Sequence, residues 1–122
     1  MVERISEAEH AVMEVLWDEA PLTAAAVSAR SPASRQWSAQ TVKTLLARLV
    51  SKGVAAAEAE GRRFLYRPLI AREDYVGQES QRMIDRLFAG RVSPLVAQLA
   101  QREALSEQDI AEIEALIRGL RA

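Results

Sequence analysis

Residues 37–53 read Trp-Ser-Ala-Gln-Thr-Val-Lys-Thr-Leu-Leu-Ala-Arg-Leu-Val-Ser-Lys-Gly, and the reading of this stretch decides the fold. Val42, Leu45, Leu46 and Leu49 recur at helical spacing and form one apolar stripe. Ser38 stands where an N-cap belongs, and Ser51-Lys52-Gly53 supplies a basic last turn with a glycine stop. With the stripe turned inward, Ala39, Gln40, Lys43, Thr44 and Ala47 face outward, with Arg48 at the flank. The helix is therefore amphipathic, and its outer face is polar and cationic.

Working outward, two further helices are predicted before it. In the first, Ala8, Ala11, Val12, Val15 and Leu16 make a buried stripe, and Ser6 with Glu9 has the spacing of a capping box. Trp17 belongs to the core. Pro21 ends that helix, Thr23 caps a short alanine-rich one to about Ala29, and Ser31-Pro32-Ala33-Ser34 is a loop. After Gly53 the pattern changes. Glu60-Gly61-Arg62-Arg63 is a turn signal between an alanine-rich segment around 54–59 and Phe64-Leu65-Tyr66-Arg67, which predicts a hairpin. The first strand has little preference of its own and must be held extended by the second.

Three helices followed by a hairpin is the order of a winged helix-turn-helix. Beyond Pro68, helices are predicted over 73–88, from Ser93-Pro94 to about Gln101, and from Ser106 onward. The expected fold is mostly α with a small β-hairpin, a winged helix over 1–70 joined to a helical dimerisation segment over 71–122. In that segment Ile110, Ile113, Ile117 and Leu120 form a heptad-like seam. Together with Met83, Leu87, Leu95 and Leu99 they are more apolar surface than so short a segment buries alone, so a homodimer is expected.

The charge distribution agrees. The 122 residues carry a formal net charge of −1, but residues 35–67 hold seven Lys or Arg against two acids, while 1–34 hold two against six and 68–122 seven against nine. A basic middle third between acidic flanks marks a local phosphate-binding surface. Hydrophobic residues at 49% and charged residues at 27% describe an ordered globular chain. There is no cysteine, which excludes disulfides and thiolate metal sites and fits a reducing compartment. No apolar run spans a bilayer and the N-terminus lacks a signal-peptide core, so a cytoplasmic protein is expected.

A helix fits the major groove of B-DNA and reads bases with its outward residues near the N-terminus. The candidate interface is thus Ser38, Ala39, Gln40, Thr41, Lys43, Thr44 and Arg48, with Arg62 and Arg63 at the hairpin tip. Gln40 suits bidentate recognition of adenine, Lys43 guanine acceptors or phosphate, and Thr41 and Thr44 a phosphate or a thymine methyl. Arg35, Lys52 and Arg67 are weaker phosphate candidates. Trp37 is read as a packing anchor. A winged helix used as a protein-protein module would call for an uncharged or acidic third helix and wing, which this sequence lacks. His10, the one histidine, has no neighbours that make it a ligand or base, and no catalytic constellation, metal site, cofactor motif or small-molecule substrate site is expected.

These residues carry a resemblance to the BlaI/MecI/CopY penicillinase-repressor family along nearly the whole chain. The matching stretches are 5–9, 12–17, 37–49 through Lys52-Gly53, 61–66 and 105–110. The resemblance implies a homodimer that binds palindromic operator DNA and represses transcription, relieved in several members by a membrane sensor protease that triggers cleavage in the C-terminal region. The copper-responsive branch carries C-terminal cysteine pairs that this chain lacks. Where penicillin-responsive members have an Asn-Phe scissile bond, Gln98-Leu99 stands here.

Overall fold

Serine and threonine hydroxyls set the starts of four helices. The computed structural model describes residues 4–122. Ser6 opens α1 (Glu7–Asp18), Thr23 opens α2 (Ala24–Arg30), Ser38 opens α3 (Ala39–Ser51) and Ser106 opens the last helix. Each side chain accepts from the backbone N–H three residues on, filling a bond the first turn cannot make internally. Between α2 and α3 a 3₁₀ turn spans Ala33–Arg35.

The end of α3 is equally specific. Gly53 takes φ +76°, and the pair Gly53 N–H to Val50 O (3.0 Å) and Val54 N–H to Leu49 O (3.1 Å) closes a Schellman motif. The chain reverses there into β1 (Ala55–Glu60), which pairs antiparallel with β2 (Arg63–Pro68) through the two-residue loop Gly61-Arg62. Gly61, at φ +63°, supplies the positive φ that such a loop requires. Pairing runs from Ala55 opposite Pro68 to Glu60 opposite Arg63, so the alanine-rich strand is held extended by its partner, as its composition requires. Leu22 adds a bridge on the far side of β2, exchanging hydrogen bonds with Tyr66 at 3.0 and 2.7 Å.

The core gathers Val12, Met13 and Leu16 of α1, Val27 of α2, Val42, Leu45, Leu46 and Leu49 of α3, and Val54 and Ala55 after the reversal. The stripe of α1 is displaced from the sequence expectation: Met13 is fully buried, whereas Ala8, Ala11 and Val15 are only partly so. Trp17 lies at the core's edge, its indole N–H donating to Ile70 O at 2.9 Å. Its ring is 5.5 Å from that of Tyr75 in the first turn of α4 (Arg72–Phe88), and His10 stacks on Tyr75, also at 5.5 Å. His10 is half-buried and packs among aromatic rings, a contact the sequence reading did not foresee.

The described chain divides into two compact units at Val76/Gly77, and α4 runs through the division. The second unit continues with α5 (Ser93–Gln101) and α6 (Glu107–Arg121). No residue from 77 to 122 is buried. Leu87, Ile110, Ile117 and Leu120 are exposed, Leu120 at 87%, and Met83, Leu95, Leu99 and Ile113 are half-buried. Among the described residues no helix is long and apolar enough to cross a membrane.

One charged group sits inside the core. Glu9 is 1% exposed; its carboxylate accepts from the Ser6 N–H (2.7 Å) and from Lys52 Nζ (2.6 Å), which also donates to Arg4 O at 3.1 Å. Burial pushes the Glu9 carboxyl up, but the hydrogen bonds from Lys52 and Ser6 and the charge of Lys52 outweigh it and hold the carboxyl below its ordinary range. Because the folded value is the lower one, this group's contribution to stability is present above the usual carboxylate pKa and is lost as pH falls through the folded value. Lys52→Met leaves Glu9 buried without its counter-charge and costs about 3 kcal/mol near neutral pH. Urea unfolding at about pH 7 and about pH 4 should show this gap narrowing on acidification, since protonation weakens the wild-type pair and neutralises the stranded carboxylate. A gap independent of pH would mean that charge is not its origin.

Candidate nucleic-acid interface

The side of α3 away from the core presents the residues singled out by its periodicity. Ser38, Ala39, Gln40, Thr41, Lys43, Ala47 and Arg48 are exposed, and Thr44 is half-buried. Two hydroxyls hold the first turn. Ser38 Oγ accepts from the Thr41 N–H at 3.1 Å and lies 2.9 Å from Thr41 Oγ1. One turn on, Thr44 Oγ1 donates to Gln40 O at 3.0 Å and itself accepts from Gln40 Nε2 at 3.5 Å. The Thr44 hydroxyl proton is therefore committed to its own helix, and what the residue offers outward is its methyl group and an acceptor. The long Gln40–Thr44 contact orients the amide loosely and leaves it free to turn toward a base edge.

The cations sort by their partners. Lys43, Arg48 and Arg62 form no ion pair among the described residues, whereas Arg63 meets Glu60 at 3.2 Å in a mostly exposed pair worth little. Arg35 reaches Glu7 at 3.5 Å and lies 5.4 Å above the centre of the Trp37 ring. Trp37 itself packs partly buried against the core, the anchoring role expected for it. Lys52 is not available to phosphate, because its ammonium is held between Glu9 and the Arg4 carbonyl. Glu9 itself signalled this: it stands three, four and seven residues before Val12, Met13 and Leu16, on the core face of α1.

The hairpin adds a second wall. Thr23, Ala24 and Ala25 at the start of α2, Lys43 of α3, and Arg62, Arg63, Phe64 and Tyr66 line a cleft of about 550 Å³. The cleft brings Lys43 together with the tip arginines; the other α3 candidates and Arg48 do not line it. Thr23, Ala24, Ala25 and Phe64 were not singled out from sequence. The strand alternation that sets Phe64 on the face of Tyr66 is the signal for the aromatic ring; for the α2 residues only the fold gives one.

The penicillinase repressor family profile matches residues 5–119. A penicillinase repressor of Bacillus licheniformis is 31% identical over 112 residues, covering 92% of this chain and 88% of its own. The methicillin resistance regulatory protein MecI of Mammaliicoccus sciuri is 28% identical over 113 residues, covering 93% and 92%. Among solved structures, the DNA-binding domain of the repressor BlaI aligns at a TM-score of 0.55 with 36% identity, covering 62% of this chain and 92% of its own. The monomeric form of Bacillus licheniformis BlaI in complex with the blaP half-operator aligns at 0.52, with the same 36% identity and coverages of 62% and 92%.

Proposed function

Because this chain belongs to the penicillinase repressor family, we propose that it represses transcription as a homodimer, each winged helix reading one half of a palindromic operator. It is a DNA-binding repressor by kinship, and the observation that carries the reading to this chain's own residues is the outward face of α3. An ordered row of polar side chains lies there with Lys43 and Arg48, which form no ion pair among the described residues, and the basic hairpin tip lies beside Lys43. Ser38, Ala39 and Thr41 bring the start of α3 close to the duplex. Gln40 and Lys43 read base edges, Thr44 offers its methyl, and Arg48, Arg62 and Arg63 neutralise phosphates. Neither a cofactor nor a small-molecule substrate enters this reading, and no residue is assigned a catalytic role. The setting is the cytoplasm.

The dimer reading rests on the second unit, 77–122, which buries none of its own residues. Covering Met83, Leu87, Leu95, Leu99, Ile110, Ile113, Ile117 and Leu120 takes a second copy of the chain. Relief by proteolysis falls at Gln98–Leu99, in the last turn of α5, where Gln98 is exposed and Leu99 half-buried. A membrane sensor protease would gain access there when that turn frays.

Gln40→Ala or Lys43→Ala should weaken operator binding by about 1–3 kcal/mol with little effect on scrambled duplex, whereas Arg62→Ala should weaken both and lower the salt slope by about one. Fluorescence anisotropy on the two duplexes decides it; unchanged affinity in all three variants refutes the docking. Ile113→Asp should shift the protein toward monomer in analytical ultracentrifugation, and a wild type that sediments as a monomer at micromolar concentration rules out the dimer. A chain ending at Gln98 should keep the helical signal of the first unit while losing operator affinity at least tenfold, since the second half-site no longer benefits from tethering. Undiminished binding by that chain would exclude cleavage here as the switch.

A further inference from the structure

Phe64 is 53% exposed, although an aromatic ring carries a large apolar surface that folding ordinarily covers. Its exposure follows from the hairpin's register. Residues directly opposite in an antiparallel pair share a face, and every second residue along a strand returns to it. Phe64, Tyr66 and Pro68 therefore share one face with Ala59, Ala57 and Ala55. Toward the base of the hairpin that face is the core side: Ala55 is buried and Tyr66 packs against the core. Toward the tip the core has ended, Ala59 offers Phe64 only a methyl group, and the ring lines the cleft facing Thr23, Ala24 and Ala25. Lys43, Arg62 and Arg63 line the same cleft.

The cleft thus joins an apolar wall and small side chains to three cations. What fits such a lining is a ligand with an apolar face and an anionic edge, and a sugar-phosphate strand has both. We propose that the cleft between α2, α3 and the hairpin takes one deoxyribose-phosphate strand of the operator, with the Phe64 ring packed on deoxyribose and Arg62 and Arg63 on its flanking phosphates. The inference deepens the DNA-binding reading and rests on it. The cleft contains Lys43 of the base-reading face and the wing-tip arginines, so a strand lying there continues the same interface. Phe64 would supply the contact that charge does not: independent of sequence, because every nucleotide has the same sugar, and independent of salt, because no counterion is released.

That independence gives the test. With the full chain, Phe64→Ala should bind operator and scrambled duplex about five- to tenfold more weakly at every salt concentration, with the slope of log affinity against log salt unchanged. Arg62→Ala in parallel should change the slope. Hydroxyl radicals attack the deoxyribose itself, so footprinting locates the contact: Phe64→Ala should expose one or two sugars per half-site that the wild type protects and leave the other protections intact. Since Phe64 lies outside the buried core, the variant should melt with the wild type, which excludes misfolding as the cause. Wild-type affinity with an unaltered footprint, or a loss that acts through the salt slope, would overturn the proposal while leaving the repressor reading in place. A wild type that protects no operator DNA would overturn both.

Discussion

The contact between Lys52 and Glu9 joins the end of α3 to the first turn of α1. Lys52 is the residue on which α3 closes, and Glu9 belongs to the first turn of α1, with Ser6 capping the same turn. The outer face of α3 is presented at a fixed angle only if the helix cannot slide, and apolar packing alone tolerates sliding along a smooth stripe. A buried charge pair with a distance of 2.6 Å does not. Its contribution to net stability is limited, since desolvating both ions offsets much of their attraction. Its 2.6 Å contact fixes the end of α3 against α1, and directly after that end come the Schellman turn at Gly53, which the local backbone sets, and the start of β1.

The two units handle apolar surface in opposite ways. The first has a closed core with ten described residues under 2% exposed, and the outer side of α3 stays polar. The second has no buried residue and displays its apolar seam along α4, α5 and α6. Small helical segments cannot bury enough area to offset their own chain entropy. If such a segment is completed by a second copy, as proposed above, its stability is tied to protein concentration.

Much of this was legible in the residues because local rules and tertiary packing agree. Hydroxyl caps at Ser6, Ser38 and Ser106, the stop at Gly53 and the turn at Gly61 are dictated by backbone groups within a few residues, and each falls where the sequence puts it. Base-facing candidates on α3 follow from a single stripe of four apolar residues. Long-range pairings were harder to see. Met13 is fully buried where the sequence stripe favoured Val15, which is only partly covered, and Lys52 reads as a surface cation until Glu9 is found beneath it, forty-three positions earlier. Strand alternation places Phe64 on the face of Tyr66, but its exposure depends on where the helical core ends beneath the hairpin, which the hairpin's own residues do not reveal.

The alanines of β1 also bear on how the protein behaves at high concentration. β2 is flanked by β1 on one side and by Leu22 on the other, so β1 forms the outer edge of the sheet among the described residues. An open edge is a template for strands from other molecules, and long apolar edges polymerise. Here the exposed stretch reads Ala57-Glu58-Ala59-Glu60. Alanine is a poor strand former, and carboxylates at every second position repel a copy of themselves laid alongside. Such an edge discourages open-ended stacking of wing against wing, so the hairpin can stand exposed at high concentration without seeding polymers.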